Sequence, residues 1–205
     1  IRAWGGTLPG CRRARTAPEL DVQRVLSQIA SATHRISELV GAVKNYSHMD
    51  RSPEHKPADV REGLDNTLTM LGHKIRKKSI RVERDYEDDL PNVVGNSGEL
   101  NQVWTNLIDN AIDAVDEGGL IRIEARAGKD CVIVGVVDDG PGIPAELQAR
   151  IFEPFFTTKD VGSGTGLGLD IVQRILKAHQ SRVQVETEPG RTSMRVQLPG
   201  ASTPN

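Results

Sequence analysis

The chain has 205 residues, with 26 Lys and Arg against 28 Asp and Glu, which gives a formal net charge of −2 at pH 7. This balance argues against a nucleic-acid binder that works through bulk charge, because such proteins carry a basic excess. No apolar run approaches the ~20 residues that cross a bilayer, so we expect no membrane contact. Cys11 and Cys131 lie far apart without metal-ligand spacing, which is typical of a reduced, cytoplasmic compartment.

Residues 1–18 differ in composition from the rest of the chain. They contain four arginines, no acidic residue and several Gly and Pro, which favours a disordered leader or linker. Residues 201–205 are expected to form a disordered tail. The chain begins with Ile1 and has no apolar signal segment, so we expect it to be a fragment of a longer protein.

Residues 19–52 have a heptad pattern. Val22, Ile29, Ile36 and Val43 recur every seven residues, which predicts one long helix with an a/d seam. A single helix cannot bury its own apolar stripe, so the pattern favours a homodimer or a partner helix. Pro53 and Pro57 indicate where this helix ends.

Residues 53–200 have a mixed α/β pattern. The hairpin signals beside helices predict a mixed sheet that is covered on one face. The predicted elements are an amphipathic helix from Val60 to Ile75, a short strand at 80–82, a helix over 98–115 capped by Ser97, strands 120–127 and 131–137 joined by Gly128-Lys129-Asp130, a short helix in 145–151, a helix over 169–179, and strands 182–188 and 192–198 joined around Pro189-Gly190.

The helix over 98–115 carries a ladder of polar side chains. Asn106, Asn110 and Asp113 are spaced i, i+4 and i+7, so they lie on one face. An amide oxygen is a hard ligand suited to Mg²⁺, which normally keeps waters and shares phosphate oxygens. The ladder therefore suits a magnesium nucleotide, although taken alone it favours a solvated helix face.

A carboxylate followed by two glycines ends the strand at 131–137. Asp138 precedes Gly140 and Gly142, and glycines let the backbone approach a planar ligand closely. A buried carboxylate at this place could accept a hydrogen bond from an exocyclic amine such as that of adenine. The alternative is an ordinary turn.

A glycine-rich segment, residues 162–168, opens the helix over 169–179. Successive backbone N–H groups at a helix N-terminus form an anion site, and no Walker lysine follows the last glycine. All three phenylalanines, Phe152, Phe155 and Phe156, come just before this segment. They could pin a loop locally or belong to a lid that closes over a nucleotide.

These segments, in the order NLIDNAIDA, DDGPGIP, FEPFFTTK and GTGLGL, resemble the catalytic ATP-binding domain of bacterial sensor histidine kinases. That domain belongs to the GHKL superfamily, with gyrase, MutL and heat-shock chaperone ATPases. The resemblance covers roughly residues 20–199. It implies the Bergerat fold, a two-layer α/β sandwich, with ATP and Mg²⁺ as cofactors and a response-regulator receiver domain as partner.

The resemblance also implies roles for individual residues. Asn110 would ligate magnesium with Asn106 as its companion, and Asp138 would read the adenine amine. Asn106, Asn110 and Lys159 are the predicted catalytic residues. The further predicted nucleotide contacts are Asp113, Gly140, Gly142, Ile143, Phe156, Thr157, Thr158, Gly164, Thr165, Gly166, Leu167, Gly168 and Thr192.

One position separates kinases from ATPases in this superfamily. The ATPases carry a water-activating Glu one turn before the magnesium Asn, where this chain has Asn106, and an amide cannot act as a base. Asp109 points about 100° away from Asn110 around the helix. The pattern favours phosphoryl transfer to a histidine. The alternatives are a GHKL ATPase, an anti-sigma serine kinase, or a non-catalytic nucleotide-binding dimerisation module.

The accepting histidine is not evident in the chain. His34 lies on the heptad helix but is followed by Arg35, whereas the family acceptor is usually followed by an acid. Residues 34–52 span about 28 Å as one helix, which leaves no room for a returning second helix. We therefore expect residues 19–52 to be the C-terminal helix of the dimerisation hairpin, the acceptor to precede Ile1, and His34 to be a weak candidate. The interpretation of His179 at a helix end is charge complementarity with the helix terminus.

Overall fold

The computed structural model describes residues 56–159 and 164–201, together with Val25. The predicted leader, the heptad helix apart from helical Val25, and His34 lie outside the described residues. The domain extends to Ala201, whose N–H donates to the carbonyl of Asn92 at 2.7 Å. No helix among the described residues is long and apolar enough to cross a membrane.

Residues 56–159 and 164–201 form four helices and seven strands. In chain order they are β1 (Lys56–Ala58), α1 (Val60–Lys77), β2 (Arg81–Tyr86), β3 (Val93–Gly95), α2 (Ser97–Ala114), β4 (Leu120–Gly128), β5 (Cys131–Asp138), α3 (Ala145–Gln148), α4 (Gly168–Ala178), β6 (Arg182–Glu188) and β7 (Arg191–Pro199).

The main sheet is mixed, as the hairpin signals predict. Its strand order is β2-β4-β5-β7-β6, in which β2 and β4 are parallel and the other three pairs are antiparallel. A second sheet, not predicted from the sequence, pairs the short strands β1 and β3 in antiparallel fashion. The arrangement confirms an α/β fold with a mixed sheet.

The core lies between one face of the main sheet and the helices α1, α2 and α4. Alternate residues of β5 and β7 point into it, including fully buried Val132, Val134 and Val196, and Trp104 of α2 is also buried there. The opposite face carries ion pairs between neighbouring strands, such as Arg122–Glu83. The sheet is therefore covered on one side, which gives two layers.

The start of α2 differs from the prediction. Asn96, not Ser97, is the N-cap, and its side-chain oxygen accepts hydrogen bonds from the N–H groups of Gly98 and Glu99. Asn and Ser have similar N-cap preference, so neighbouring candidates are hard to separate by residue type. The β4–β5 connection is also tighter than predicted, because Gly128 still pairs with Cys131 in the ladder.

His179 at the end of α4 is buried, and Oε2 of Glu99 lies 3.8 Å from its Nε2. Its Nε2 accepts the N–H of Asn96 at 3.1 Å, and its Nδ1 donates to the carbonyl of Ile175 at 2.9 Å. His179 therefore joins the end of α4 to the N-cap of α2 by hydrogen bonds.

The C-terminal end of α2 is held by a lysine from the loop after α1. The Nζ of Lys78 donates to the carbonyls of Ile112 at 2.8 Å, Asp113 at 3.2 Å and Val115 at 2.9 Å. An ammonium group at this terminus satisfies carbonyls that have no partner within the helix and complements the helix dipole. This contact fixes the last turn of α2, which carries the end of the polar ladder.

Candidate functional site

The polar ladder of α2 meets two segments that are distant in sequence. Asn106 donates through Nδ2 to the carbonyl of Gln102 at 2.9 Å, and its Oδ1 lies 3.2 Å from the place that a Cβ on Gly168 would occupy. The first residue of α4 therefore approaches α2 at the first Asn of the ladder. A Cβ at this position would require the Asn106 side chain to shift by a few tenths of an ångström.

The second Asn of the ladder faces a lysine. The Nζ of Lys159 lies 3.5 Å from Oδ1 of Asn110 and forms an ion pair with the carboxylate of Asp113. Lys159 thus contacts two residues of the ladder, and all three are predicted site residues. Their oxygen atoms form a partly exposed acceptor group that already attracts a cation.

These oxygens suit a magnesium ion that arrives with phosphate. No group of three or more His, Cys, Asp or Glu side chains that could hold a metal occurs among residues 56–159 and 164–201. Mg²⁺ commonly uses one or two protein oxygens and completes its shell with water and substrate phosphates. The amide oxygen of Asn110 and the Asp113 carboxylate fit that mode of binding.

The two consecutive aspartates at the end of β5 have different partners. Asp138 is 6% exposed, and its Oδ1 accepts the N–H of Gly140 at 3.0 Å. Asp139 instead accepts the N–H of Leu120 at 2.9 Å and holds the start of β4. Only Asp138 is a buried carboxylate of the kind that can read a ligand.

Burial sets the acidity of Asp138. It raises the pKa of this carboxyl to about 6 from 3.8, while the Gly140 N–H lowers the pKa and the charge of Asp139 raises it further. Desolvation disfavours the ionised form. A buried carboxylate with an elevated pKa gains from a ligand that donates a hydrogen bond to it.

The glycines after Asp138 lie where the backbone segments come close. A Cβ on Gly140 would lie 3.0 Å from the carbonyl oxygen of Ala114, at the end of α2. Gly142 has a φ of +82°, and a Cβ there would lie 2.4 Å from the carbonyl oxygen of Glu188. Gly142 requires glycine and a side chain at Gly140 would be crowded, so this motif is a structural bend as well as a candidate binding segment.

A pair of threonines lies beside Asp138 and Ile143. Thr192 is buried and is paired with Asp138 in the β5–β7 register. Its hydroxyl lies 3.3 Å from that of Thr187, which accepts the N–H of Ile143 at 2.8 Å. Thr187 was not predicted as a site residue, and the β6–β7 register sets it opposite Thr192.

Residues 152–156, which hold the three phenylalanines and are called the phenylalanine segment, pack against the glycine segment. Gly166 has a φ of +69°, and a Cβ on it would lie 2.4 Å from the carbonyl carbon of Phe155. Phe155 itself has a φ of 66° and is 66% exposed. The ring of Phe156 lies 4.4 Å from the guanidinium carbon of Arg150, so the two phenylalanines have different surroundings.

The remaining predicted residues extend the same contact zone. A Cβ on Gly164 would lie 3.1 Å from Cδ of Lys159 and 3.2 Å from Oγ1 of Thr157. The hydroxyl of Thr165 accepts the N–H of Leu167 at 3.5 Å, and Leu167 is buried. Thr158 is exposed, and residues 160–163 lie outside the described part of the chain.

The carboxylate next to Asn110 in sequence has another partner. Asp109 pairs with the Nζ of Lys74 on α1, at 2.6 Å from its Oδ1. This contact holds the Asp109 side chain on the side of α2 that faces α1. The orientation agrees with the angle expected from helix geometry.

Comparison with known proteins places the fold and the motifs in one family. Residues 95–202 match the family described as histidine kinase-, DNA gyrase B-, and HSP90-like ATPase. The chain is 36% identical over 186 residues to the sensory histidine kinase/phosphatase NtrB of Rhodobacter capsulatus, which covers 84% of this chain and 51% of the relative. The chain thus spans about half the length of that curated relative.

Solved structures give the same family. The catalytic domain of the histidine kinase ThkA has a TM-score of 0.66 and 32% identity, covering 72% of this chain and 96% of that one. ThkA in complex with the response regulator protein TrrA has a TM-score of 0.68 and 28% identity, covering 82% of this chain and 49% of that one. The chain belongs to the histidine kinase-, DNA gyrase B-, and HSP90-like ATPase family and contains the catalytic ATP-binding domain of a sensor histidine kinase.

Proposed function

We propose that this domain binds Mg·ATP between α2 and the glycine segment at the start of α4. Asp138 accepts a hydrogen bond from the adenine amine, and Gly140, Gly142, Ile143 and Thr192 shape the purine pocket. The N–H groups of residues 164–168 face the phosphates. The close approach of Gly168 to Asn106 supports this placement, because it brings the N-terminus of α4 to the ladder.

Asn110 holds the magnesium ion in this proposal, with Asp113 beside it. When bound, the ion would supply positive charge against the charge that develops on the transferred group. Lys159 contributes a positive charge from the segment that follows the phenylalanines. Its contacts with Asn110 and Asp113 support a place next to the terminal phosphate.

The reaction is transfer of the γ-phosphoryl group to a histidine. An imidazole nitrogen attacks the phosphorus in line, the bond to the bridging oxygen breaks, and ADP leaves. Asn106 lies one turn before Asn110, and its amide N–H donates a hydrogen bond to the helix backbone. Asp109 is paired with Lys74. The lack of a general base among these α2 side chains is the observation that favours transfer over hydrolysis.

The wider arrangement follows from the proposed reaction. Residues 19–52 supply the C-terminal helix of a dimerisation hairpin that joins two chains, residues 1–18 form a linker, and residues 53–200 form the catalytic domain. The phosphoryl group passes on to an aspartate of a response-regulator receiver domain. The reaction consumes ATP, so we place it in the cytoplasm.

The test supplies an acceptor separately. The purified chain is incubated with γ-labelled ATP, Mg²⁺ and the acceptor helix pair of a sensor histidine kinase. A matched helix pair with the accepting His changed to Gln serves as control. We expect an acid-labile label on the first helix pair and none on the second. Steady phosphate release without label, or ATP binding with neither reaction, contradicts histidine phosphorylation and supports an ATPase or a nucleotide-binding module.

The same incubation tests the place of the acceptor. With no helix pair added, we expect no label on this chain. An acid-labile label that disappears in a His34→Gln variant would make His34 the acceptor.

A further inference from the structure

A lysine ammonium occupies the place where the proposed metal ligands meet. Lys159 reaches from just after the phenylalanine segment to α2, pairing with the Asp113 carboxylate and lying 3.5 Å from Oδ1 of Asn110. A Cβ on Gly164 would lie 3.1 Å from Cδ of Lys159, so the glycine leaves room for the aliphatic part of this side chain. About a third of each of the Lys159 and Asp113 side chains is exposed, so the contact is accessible to ions in solution.

An ammonium group and a magnesium ion compete for the same oxygens. Both need oxygen acceptors, and two cations a few ångströms apart repel each other. A free Mg²⁺ ion that enters here must displace Lys159 and leave its charge without the Asp113 partner. Mg²⁺ also gives up its waters reluctantly, so binding to one amide and one carboxylate compensates only a small part of the dehydration cost.

A metal that arrives with a triphosphate meets a different balance. The phosphates bring several negative charges, which offer Lys159 a new acceptor at the moment when it leaves Asp113. The displaced ammonium of Lys159 is then paired with phosphate and is not left without an anionic partner. The cost of moving Lys159 is therefore offset for the metal–nucleotide complex and not for the bare metal.

We propose that Lys159 excludes free divalent cations from Asn110 and Asp113 and so makes the site selective for the metal–nucleotide complex. This inference rests on the proposed placement of ATP. It assigns to Lys159 a role in the nucleotide-free protein, before any phosphate is present. The role is one of specificity and is separate from the contribution of Lys159 to phosphoryl transfer.

A second lysine that pairs with a carboxylate of α2 provides a matched control. Lys74 pairs with Asp109 of α2 at 2.6 Å, one position before Asn110 in sequence but facing α1. A Lys74→Met change removes the same charge and breaks the same kind of ion pair outside the proposed metal site. Any general effect of net charge on cation binding appears equally in both variants.

The experiment measures binding of Mn²⁺, as a substitute for Mg²⁺, to the nucleotide-free chain by the electron paramagnetic resonance signal of the free ion. We expect Lys159→Met to raise Mn²⁺ affinity about two- to fivefold, the range set by an exposed ion pair. Lys159→Arg and Lys74→Met leave it unchanged. Adding Asp113→Asn to Lys159→Met removes the gain. Far-ultraviolet circular dichroism checks that each variant is folded.

Several results would overturn the inference. These are an unchanged or lower affinity in folded Lys159→Met, an equal gain in Lys74→Met, or a gain that persists without the Asp113 carboxylate. Because no nucleotide is present, these outcomes are independent of the proposed function. That function fails instead if the unmodified chain does not bind ATP in the presence of Mg²⁺.

Discussion

Asp138 shows how burial prepares a single side chain for recognition. The carboxyl has a pKa of about 6, mainly because burial penalises its ionised form. In the nucleotide-free protein, ionisation above this pH therefore opposes folding. The contribution of Asp138 to stability is greatest below its unfolded pKa and is lost as the pH rises through about 6. An adenine amine that donates to the carboxylate reverses part of this penalty.

Replacing Asp138 by Asn tests that account. An amide can present its NH₂ group where the carboxylate accepted a hydrogen bond, so we expect weaker ATP binding and reduced discrimination between ATP and GTP. At pH 7 the nucleotide-free variant should melt at a higher temperature than the unmodified chain, and this difference should shrink between pH 6 and pH 4. Calorimetric titrations and thermal melts across this range measure both effects.

Asp139→Asn is the matched control for this substitution. Asp139 accepts the N–H of Leu120 and holds the start of β4, so its replacement should affect folding without changing the ratio of ATP to GTP affinity. A purine preference that is equal in the Asp138→Asn variant and in the unmodified chain contradicts the adenine role. Equal binding of ATP and GTP by the unmodified chain contradicts it as well.

Asn110→Ala tests the metal assignment. We expect ATP affinity in Mg²⁺ to fall on the order of tenfold, as for loss of an interaction with a charged group. Affinity in excess EDTA should change little, because the lost interaction is with the metal. Asn110→Asp, which keeps an oxygen ligand, should retain a magnesium dependence. Calorimetry in both buffers decides, and an unchanged magnesium dependence in Asn110→Ala removes the assignment.

These side chains could be predicted from the sequence because their signals are local. The i, i+4, i+7 spacing of the ladder and the two glycines after Asp138 can be recognised without knowledge of the fold. Thr187 was missed because its partner Ile143 lies 44 residues away. The ion pair between Lys159 and Asp113 joins residues 46 positions apart, and residue spacing alone does not reveal such a contact.

At the scale of elements, the glycine segment depends on backbone conformation. Gly166 combines a left-handed φ with a close approach to the backbone of Phe155. The residue therefore links the start of α4 to the phenylalanine segment. A side chain at this position forces the two segments apart.

Gly166→Ala should weaken ATP binding and lower the free energy of unfolding. Two effects contribute, the left-handed φ and the close approach to the backbone of Phe155. Gly190, in the β6–β7 turn, has a φ of +86° and open space where a Cβ would lie. Gly190→Ala therefore carries only the backbone strain, about 1–2 kcal/mol, and serves as the control. We expect a larger loss of unfolding free energy for Gly166→Ala and a loss of ATP affinity confined to it. Denaturant unfolding and calorimetry measure these two quantities, and equal effects of both changes contradict the role given to Gly166.

The longer elements were predicted closely, whereas the short paired strands were not. The apolar period of α1 and α2 and the alternation in β4 and β5 are strong local signals. Strands β1 and β3 have three residues each, and β1 contains Pro57, so neither shows a usable alternation. Their pairing brings distant segments together and depends on the tertiary fold. The N-cap of α2 was predicted one residue too late, because Asn96 and Ser97 are both good N-cap residues.

At the scale of the whole molecule, the fold brings together the proposed adenine pocket around Asp138 and the proposed phosphate site between α2 and α4. The β5–β7 register sets Thr192 opposite Asp138, and the approach of Gly168 to Asn106 brings α4 to the polar ladder. The order of motifs along the chain predicted the fold class correctly. The parallel pairing of β2 with β4 was beyond local pattern, because hairpin signals report only strands adjacent in sequence.

The central claim is that one magnesium-bound ATP lies between the ladder on α2 and the glycine segment. The most direct measurement is a calorimetric titration of ATP into the purified chain, once with Mg²⁺ and once with excess EDTA. The account predicts saturable heat corresponding to one nucleotide per chain in Mg²⁺ and weaker binding in EDTA. A folded chain that releases or absorbs no heat with ATP and Mg²⁺ contradicts the account.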